Sequence, residues 1–125
     1  MFELTIGGQV YNFNFGLGFL REINKTVQAP VDGVPNKKRD MGLRYKLAGL
    51  VDGDIEDLIV ILDLANKGQT MRLTKAALEA HIEDEDTDID ALFDNVLDFL
   101  GKANCTRKTT LRLLEDAERL KSEQN

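Results

Sequence analysis

Four aspartates alternate with other residues in the stretch DEDTDID, residues 84–90. Calcium-binding loops space their first ligands in this way. A loop of the EF-hand type that starts at Asp84 needs a glycine at its sixth position and a bidentate glutamate at its twelfth. These positions hold Ile89 and Asn95. The sequence therefore predicts a solvated acidic turn that leads into a helix, and we expect no metal site.

The chain has one histidine, His81, and one cysteine, Cys105. A catalytic cysteine needs a neighbouring base, and His81 is the sole imidazole that can serve as one. A lone cysteine also excludes a disulfide framework or a cysteine-based zinc site within the chain. The two residues favour ordinary structural roles, and we expect that the protein is not an enzyme.

A dinucleotide-binding loop is suggested by Gly16-x-Gly18, which follows a predicted strand. The third glycine of that fingerprint is replaced by Arg21. The sequence also predicts neither the following parallel strand nor the distal acidic residue of a βαβ unit. We therefore expect no nucleotide and no other cofactor.

The composition is that of a globular protein, and we expect one domain over residues 1–125. Hydrophobic residues make up 42% of the chain and charged residues 30%. The net charge of −6 argues against nucleic acid as the main partner, because such binding depends on neutralising phosphates. No apolar run is long enough to cross a bilayer and no secretory signal is evident, so we expect no membrane association and a cytoplasmic location.

The charge is distributed unevenly along the chain. The segment Glu83–Asp98 contains eight acidic residues and no basic residue. A short basic stretch consists of Lys37, Lys38, Arg39, Arg44 and Lys46. These stretches are either two solvated surfaces or the two halves of a head-to-tail contact between neighbouring copies, which their opposite charges would steer.

The strongest helical pattern lies in Asp88–Leu100, and we expect this helix to organise the core. Its apolar residues recur with the spacing of one helix face; they are Ile89, Leu92, Phe93, Val96, Leu97 and Leu100. Asp88 is suited to cap the helix, because its carboxylate can accept hydrogen bonds from the first amide groups.

The N-terminal segment, residues 1–15, predicts a β-hairpin. Two stretches of alternating apolar and polar residues flank Gly7-Gly8, a typical two-residue hairpin turn. This turn pairs Ile6 with Gln9, Leu4 with Tyr11 and Phe2 with Phe13. An isolated hairpin is only marginally stable in water, so this one must lie on helices or join the sheet of another copy.

Residues 16–121 are predicted to be mainly helical, which makes the fold class α+β, a bundle of about five to six helices after one hairpin. The predicted helices are 16–27, 41–51, 55–65 (capped by Asp54), 75–83 (capped by Thr74), 88–100 and 107–121 (capped by Thr106). Residues 28–40 contain both prolines and predict a long surface loop. We expect residues 122–125 to form a frayed tail.

The order of these segments resembles the tail assembly chaperones of long-tailed bacteriophages, in particular those of Gram-positive hosts and their prophages. The resemblance covers about residues 2 to 115. It is carried by the hairpin that runs into FGLGFLREINK (15–25), by the Gly- and Leu-containing stretch Gly42–Asp54, and by the acidic turn and helix followed by Thr-Arg-Lys (106–108).

The resemblance implies a binding role in the bacterial host cytoplasm. Such chaperones bind the tape measure protein, keep it soluble until tail-tube subunits polymerise around it, and are absent from the mature virion. It also implies a homo-oligomer, a ring or a spiral. For client contact we predict Leu111, Leu114 and Leu120 in the last helix. The alternative is a helical adaptor protein of a phage or bacterium without chaperone activity.

Overall fold

The computed structural model describes residues 1–124, the last of them by its backbone only. These residues form two β-hairpins and six α-helices. In chain order, the elements are β1 (Phe2–Ile6), β2 (Gln9–Phe13), α1 (Leu17–Asn24), β3 (Gln28–Pro30), β4 (Lys38–Asp40), α2 (Gly42–Val51), α3 (Ile55–Asn66), α4 (Lys75–Glu83), α5 (Ile89–Leu100) and α6 (Arg107–Gln124). The predicted fold class, a helical bundle with an N-terminal hairpin, is confirmed.

The first hairpin, β1–β2, has the register that its sequence predicts. Phe2 pairs with Phe13, Leu4 with Tyr11 and Ile6 with Gln9. Gly7 and Gly8 both have positive φ, at 59° and 79°, which is the conformation that a tight hairpin turn requires at its two central residues.

An aromatic cluster fixes this hairpin on the helices. Its five rings are those of Phe2, Phe13, Phe15, Phe19 and Phe99, and they come from β1, β2, the following turn, α1 and α5. The centroid distances run from 5.0 Å for Phe15–Phe19 to 6.1 Å for Phe2–Phe15, within the usual range of aromatic pairs. The hairpin therefore lies on helices of its own chain.

The centre of the core is α3, rather than the predicted organising helix α5. α3 packs against α1, α2, α4 and β2, and five of its apolar side chains are buried: Leu58, Ile59, Ile61, Leu62 and Ala65. In α5 only Leu92, Val96 and Leu100 are buried. The helical pattern of α5 is correct, but half of its apolar face is only partly covered.

Three of the predicted N-terminal caps are present. The side chains of Asp54, Thr74 and Asp88 accept hydrogen bonds from the third amide group of α3, α4 and α5 respectively. Thr106 behaves differently from its prediction. Its buried hydroxyl donates to the carbonyl oxygen of Leu100 at 2.6 Å, so it joins the end of α5 to the start of α6.

The loop predicted for residues 28–40 is instead a short hairpin, β3–β4. Gln28 pairs with Asp40, Ala29 with Arg39 and Pro30 with Lys38. Each strand has only three residues, β3 ends in a proline and β4 consists of charged residues. Neither strand has an alternating apolar pattern, which explains why the sequence predicts a loop. The preceding helix α1 ends at Asn24, before the predicted end at Val27.

The last helix, α6, extends to Gln124, so residues 122–124 are helical where we expected a frayed tail. The expectation for Asn125 lies outside the described residues. Within residues 1–124, no helix combines the length and the apolar character needed to span a membrane.

Candidate interaction surfaces

The acidic turn uses its carboxylates to hold its own backbone. Asp84 accepts a hydrogen bond from the amide of Asp86 at 2.9 Å, and Asp88 accepts one from the amide of Ala91 at 3.0 Å. In the described part of the chain, no three His, Cys, Asp or Glu residues are grouped so that they could hold a metal ion. The turn thus has the capping role that its position before α5 predicts.

The two residues considered for catalysis lie in different clefts. His81 lines a shallow cleft beside the acidic turn, and Cys105 lines another whose lining includes Phe15 and Phe99. The carbonyl oxygen of His81 accepts a hydrogen bond from the hydroxyl of Thr87 at 2.6 Å. The structure therefore does not assemble the Cys–His pair that nucleophilic catalysis requires.

The two glycines of the possible dinucleotide loop lie at the start of α1, Gly16 before the helix and Gly18 in its first turn, and no parallel strand follows. Gly16 is the N-terminal cap of α1, and the following strand, β3, pairs only with β4 in an antiparallel hairpin. No βαβ unit is formed by these elements, so the loop lacks the context of a dinucleotide site.

The predicted client contacts lie on α6, but they do not form one stripe. The inner face of this helix carries Thr110, which is buried, and Leu113, which packs against the core. Leu111 and Leu120 are 46% and 54% exposed, and Leu114 is half-buried. Leu120 follows Leu111 by nine residues, about two and a half turns, so the two side chains point to opposite sides of the helix. The three leucines therefore do not share one face of α6, and their role in client contact stays a prediction.

The end of α6 extends beyond the helices that cover its start. Every residue from 118 to 123 is exposed, so no face of this stretch is covered by the described residues. The first turns, by contrast, pack against α2 and α5. The end of α6 is thus open to a partner on all sides.

A surface groove that the sequence analysis missed lies where the end of α2 and the start of α3 meet α5. We call it the acidic groove. Its volume is about 490 Å³, and its apolar lining consists of Leu50, Val51, Ile55, Ile89, Phe93 and Leu97. The other lining residues are Gly53 and two exposed carboxylates, Asp90 and Asp94. No basic residue lines the groove.

The second surface feature is the hairpin of residues 28–40, which we call the arm. Residues 32–40 are all exposed, and Val34 near its tip is 44% exposed. Lys37, Lys38 and Arg39 lie on this arm, and none of them forms a salt bridge with the described residues.

The predicted basic stretch is therefore shorter than its sequence suggests. Lys46 lies on α2, is mostly buried, and its Nζ is 3.1 Å from Oδ1 of Asp57 on α3. This partly buried pair between α2 and α3 neutralises Lys46. Of this stretch, the basic residues without a salt bridge to the described residues are Lys37, Lys38 and Arg39 on the arm and Arg44, which is exposed at the start of α2.

Most of the chain matches a protein-family model. The family model described as phage tail assembly chaperone protein matches residues 3–115. The match begins in β1 and ends within α6, so it includes both hairpins, the acidic groove and the first half of the last helix. No curated protein and no solved structure matches the chain.

Proposed function

The chain belongs to the phage tail assembly chaperone family, and from this premise we propose that it binds the tape measure protein of a long-tailed phage. In this role it keeps the tape measure protein soluble and helps to recruit tail-tube subunits. It acts in the cytoplasm of the bacterial host and is absent from the mature virion. The observation that carries the proposal is the family match over residues 3–115.

The surface of the chain supports a binding role of this kind. A chaperone for a long amphipathic helix needs apolar side chains that are exposed on a charged body, where they can contact the apolar face of the client. The exposed end of α6 offers Leu120, and its earlier turns offer Leu111 and Leu114. We propose these three leucines as client contacts, made from two sides of the helix.

Several copies along one client would give strong overall binding from weak single contacts. Once one copy is bound, each further contact with the same client or with a neighbouring copy becomes effectively intramolecular. The proposed function therefore includes self-association of the chaperone, as a ring or a spiral.

We expect that replacing Leu111 and Leu120 together by serine lowers the amount of co-purified tape measure protein by roughly tenfold or more, since burying one large apolar side chain contributes about 1.5–3 kcal/mol. Both side chains are exposed, so the fold of the chaperone is expected to persist. The measurement is the ratio of the two proteins after affinity purification from co-expressing cells, with circular dichroism of the variant alone.

The matched control is Leu17→Ser on α1, because Leu17 is 54% exposed, as Leu120 is. This variant is expected to retain the wild-type ratio. A double variant that is folded and binds as well as the wild type would exclude these leucines of α6 as the client site. The chaperone role itself would then be tested separately, by whether the chain keeps the tape measure protein soluble.

A further inference from the structure

Residues 32–40 of the arm are exposed, so no other element among the described residues covers this part of the hairpin. β3 and β4 pair with each other, and the sheet contains no third strand. The base of the arm is held by the amide of Met41, which donates to the carbonyl oxygen of Val27 at 2.8 Å. A two-stranded hairpin without further packing is only marginally stable in water. The arm is therefore an element that a second surface would stabilise.

The acidic groove has the complementary properties. Its apolar lining is not filled by any residue of the arm of the same chain. Ile55 is 37% exposed, and Phe93 and Leu97 are half-buried, so apolar area remains to be covered. Asp90 and Asp94 give the groove a negative charge. The arm carries three basic residues, Lys37, Lys38 and Arg39, against two acidic ones, Asp32 and Asp40, so its net charge is positive.

We propose that the arm of one copy binds in the acidic groove of the next copy. This inference rests on the self-association proposed above and names the two surfaces that produce it. Val34 of the arm contacts the apolar lining, while Lys37 and Lys38 face Asp90 and Asp94. Opposite charges on the two surfaces favour this orientation of the copies over others.

The position of the two surfaces makes the contact head-to-tail. The arm joins α2 at Gly42, and the acidic groove includes Leu50 and Val51 near the other end of α2. The two attachment points are about 12–14 Å apart along the helix axis. Because each copy offers one arm and one groove at different places, the contact repeats from copy to copy and gives a ring if it closes or a spiral if it does not.

Charge reversal tests this contact on the full chain without any client. We expect Lys37→Glu/Lys38→Glu, and separately Asp90→Lys/Asp94→Lys, to raise the dissociation constant for self-association by roughly tenfold to a hundredfold, because each places like charges together. Combining all four substitutions in one chain, or mixing the two double variants, is expected to restore association. Sedimentation velocity over a concentration series measures the effect.

The matched control is Lys75→Glu/Lys108→Glu, which changes the net charge as the arm variant does but at exposed positions on α4 and α6. It is expected to associate like the wild type. Val34→Asp, at the tip of the arm, tests the apolar part of the contact independently and is expected to weaken association. Thermal melting of each variant shows that it is folded.

The outcomes separate this inference from the proposed function. If the wild-type chain remains monomeric at all concentrations, both the proposed self-association and the proposed contact between the arm and the acidic groove are overturned. A wild-type oligomer that is insensitive to the arm and groove variants, or that the combined reversal fails to restore, overturns the arm–groove contact alone. Neither result depends on whether the tape measure protein is bound.

Discussion

Replacing Asn66 by alanine is expected to lower the free energy of unfolding by about 3–5 kcal/mol, because it leaves several buried polar groups without partners. Asn66 ends α3 and is fully buried. Its Oδ1 accepts hydrogen bonds from the amide of Leu73 at 2.6 Å and from Arg72 at 2.9 Å. Its Nδ2 donates to the carbonyl oxygens of Asn12 and Met71 at 3.0 and 3.2 Å. One side chain thus joins the first hairpin to the loop before α4.

Chemical denaturation of the variant and the wild type measures this loss directly. The matched control is Asn95→Ala, which removes the same side chain from an exposed position on α5 and is expected to change the stability by less than about 0.5 kcal/mol. An Asn66→Ala variant as stable as this control would mean that the hairpin is held on α3 without the hydrogen bonds of Asn66.

The Gly42→Ala substitution is expected to destabilise the protein by about 3 kcal/mol, since overpacking of a close backbone contact costs this much. Gly42 is the first residue of α2 and is buried. A Cβ atom at this position would overlap the carbonyl oxygen of Ile23 and lie 2.6 Å from Oγ1 of Thr26. The backbone cannot move away freely, because the next amide, that of Leu43, donates to Oδ1 of Asn24 at 3.1 Å.

The matched control for this prediction is Gly18→Ala on α1. A Cβ atom at Gly18 would meet no atom within 4 Å, and the residue is helical. The substitution is expected to stabilise the protein by about 0.5–1 kcal/mol, because alanine loses less conformational freedom than glycine when it enters a helix. If Gly42→Ala also stabilised the protein, α1 and α2 would not pack as closely as described.

Local patterns predicted the elements whose signals are contained in a few neighbouring residues. The register of β1–β2 follows from the Gly7-Gly8 turn and from the alternation on each side of it. The caps at Asp54, Thr74 and Asp88 follow from side chains that can accept hydrogen bonds just before an apolar run. Such features require no knowledge of how the elements pack.

The errors concern contacts between distant parts of the chain. The apolar periodicity of α5 is that of a core helix, but periodicity does not tell whether a neighbouring helix covers the whole face. In the structure, Ile89, Phe93 and Leu97 line the acidic groove. The role of Asn66 also escaped prediction, because its four hydrogen-bond partners are separated from it by up to 54 positions.

For α6 too, the sequence alone does not tell which side of the helix is covered by the rest of the chain. Leu111, Leu114 and Leu120 are all apolar residues of one helix, but the packing of Thr110 and Leu113 against the rest of the chain decides which side is outward. The sequence thus identified two exposed leucines, Leu111 and Leu120, and the half-buried Leu114 without fixing their relative orientation. The position of the basic patch was easier to predict, because Lys37, Lys38 and Arg39 are adjacent in the chain and therefore lie together on the arm.

The most direct test of the proposed function is the solubility of the tape measure protein encoded with this chain. The tape measure protein is expressed alone, with the wild-type chaperone, and with the Leu111→Ser/Leu120→Ser variant, and its soluble fraction is measured after centrifugation. We expect it to be largely insoluble alone and largely soluble, in complex with the chaperone, when the wild-type chain is present. An equally insoluble tape measure protein in the presence of abundant, folded chaperone would contradict the proposed function.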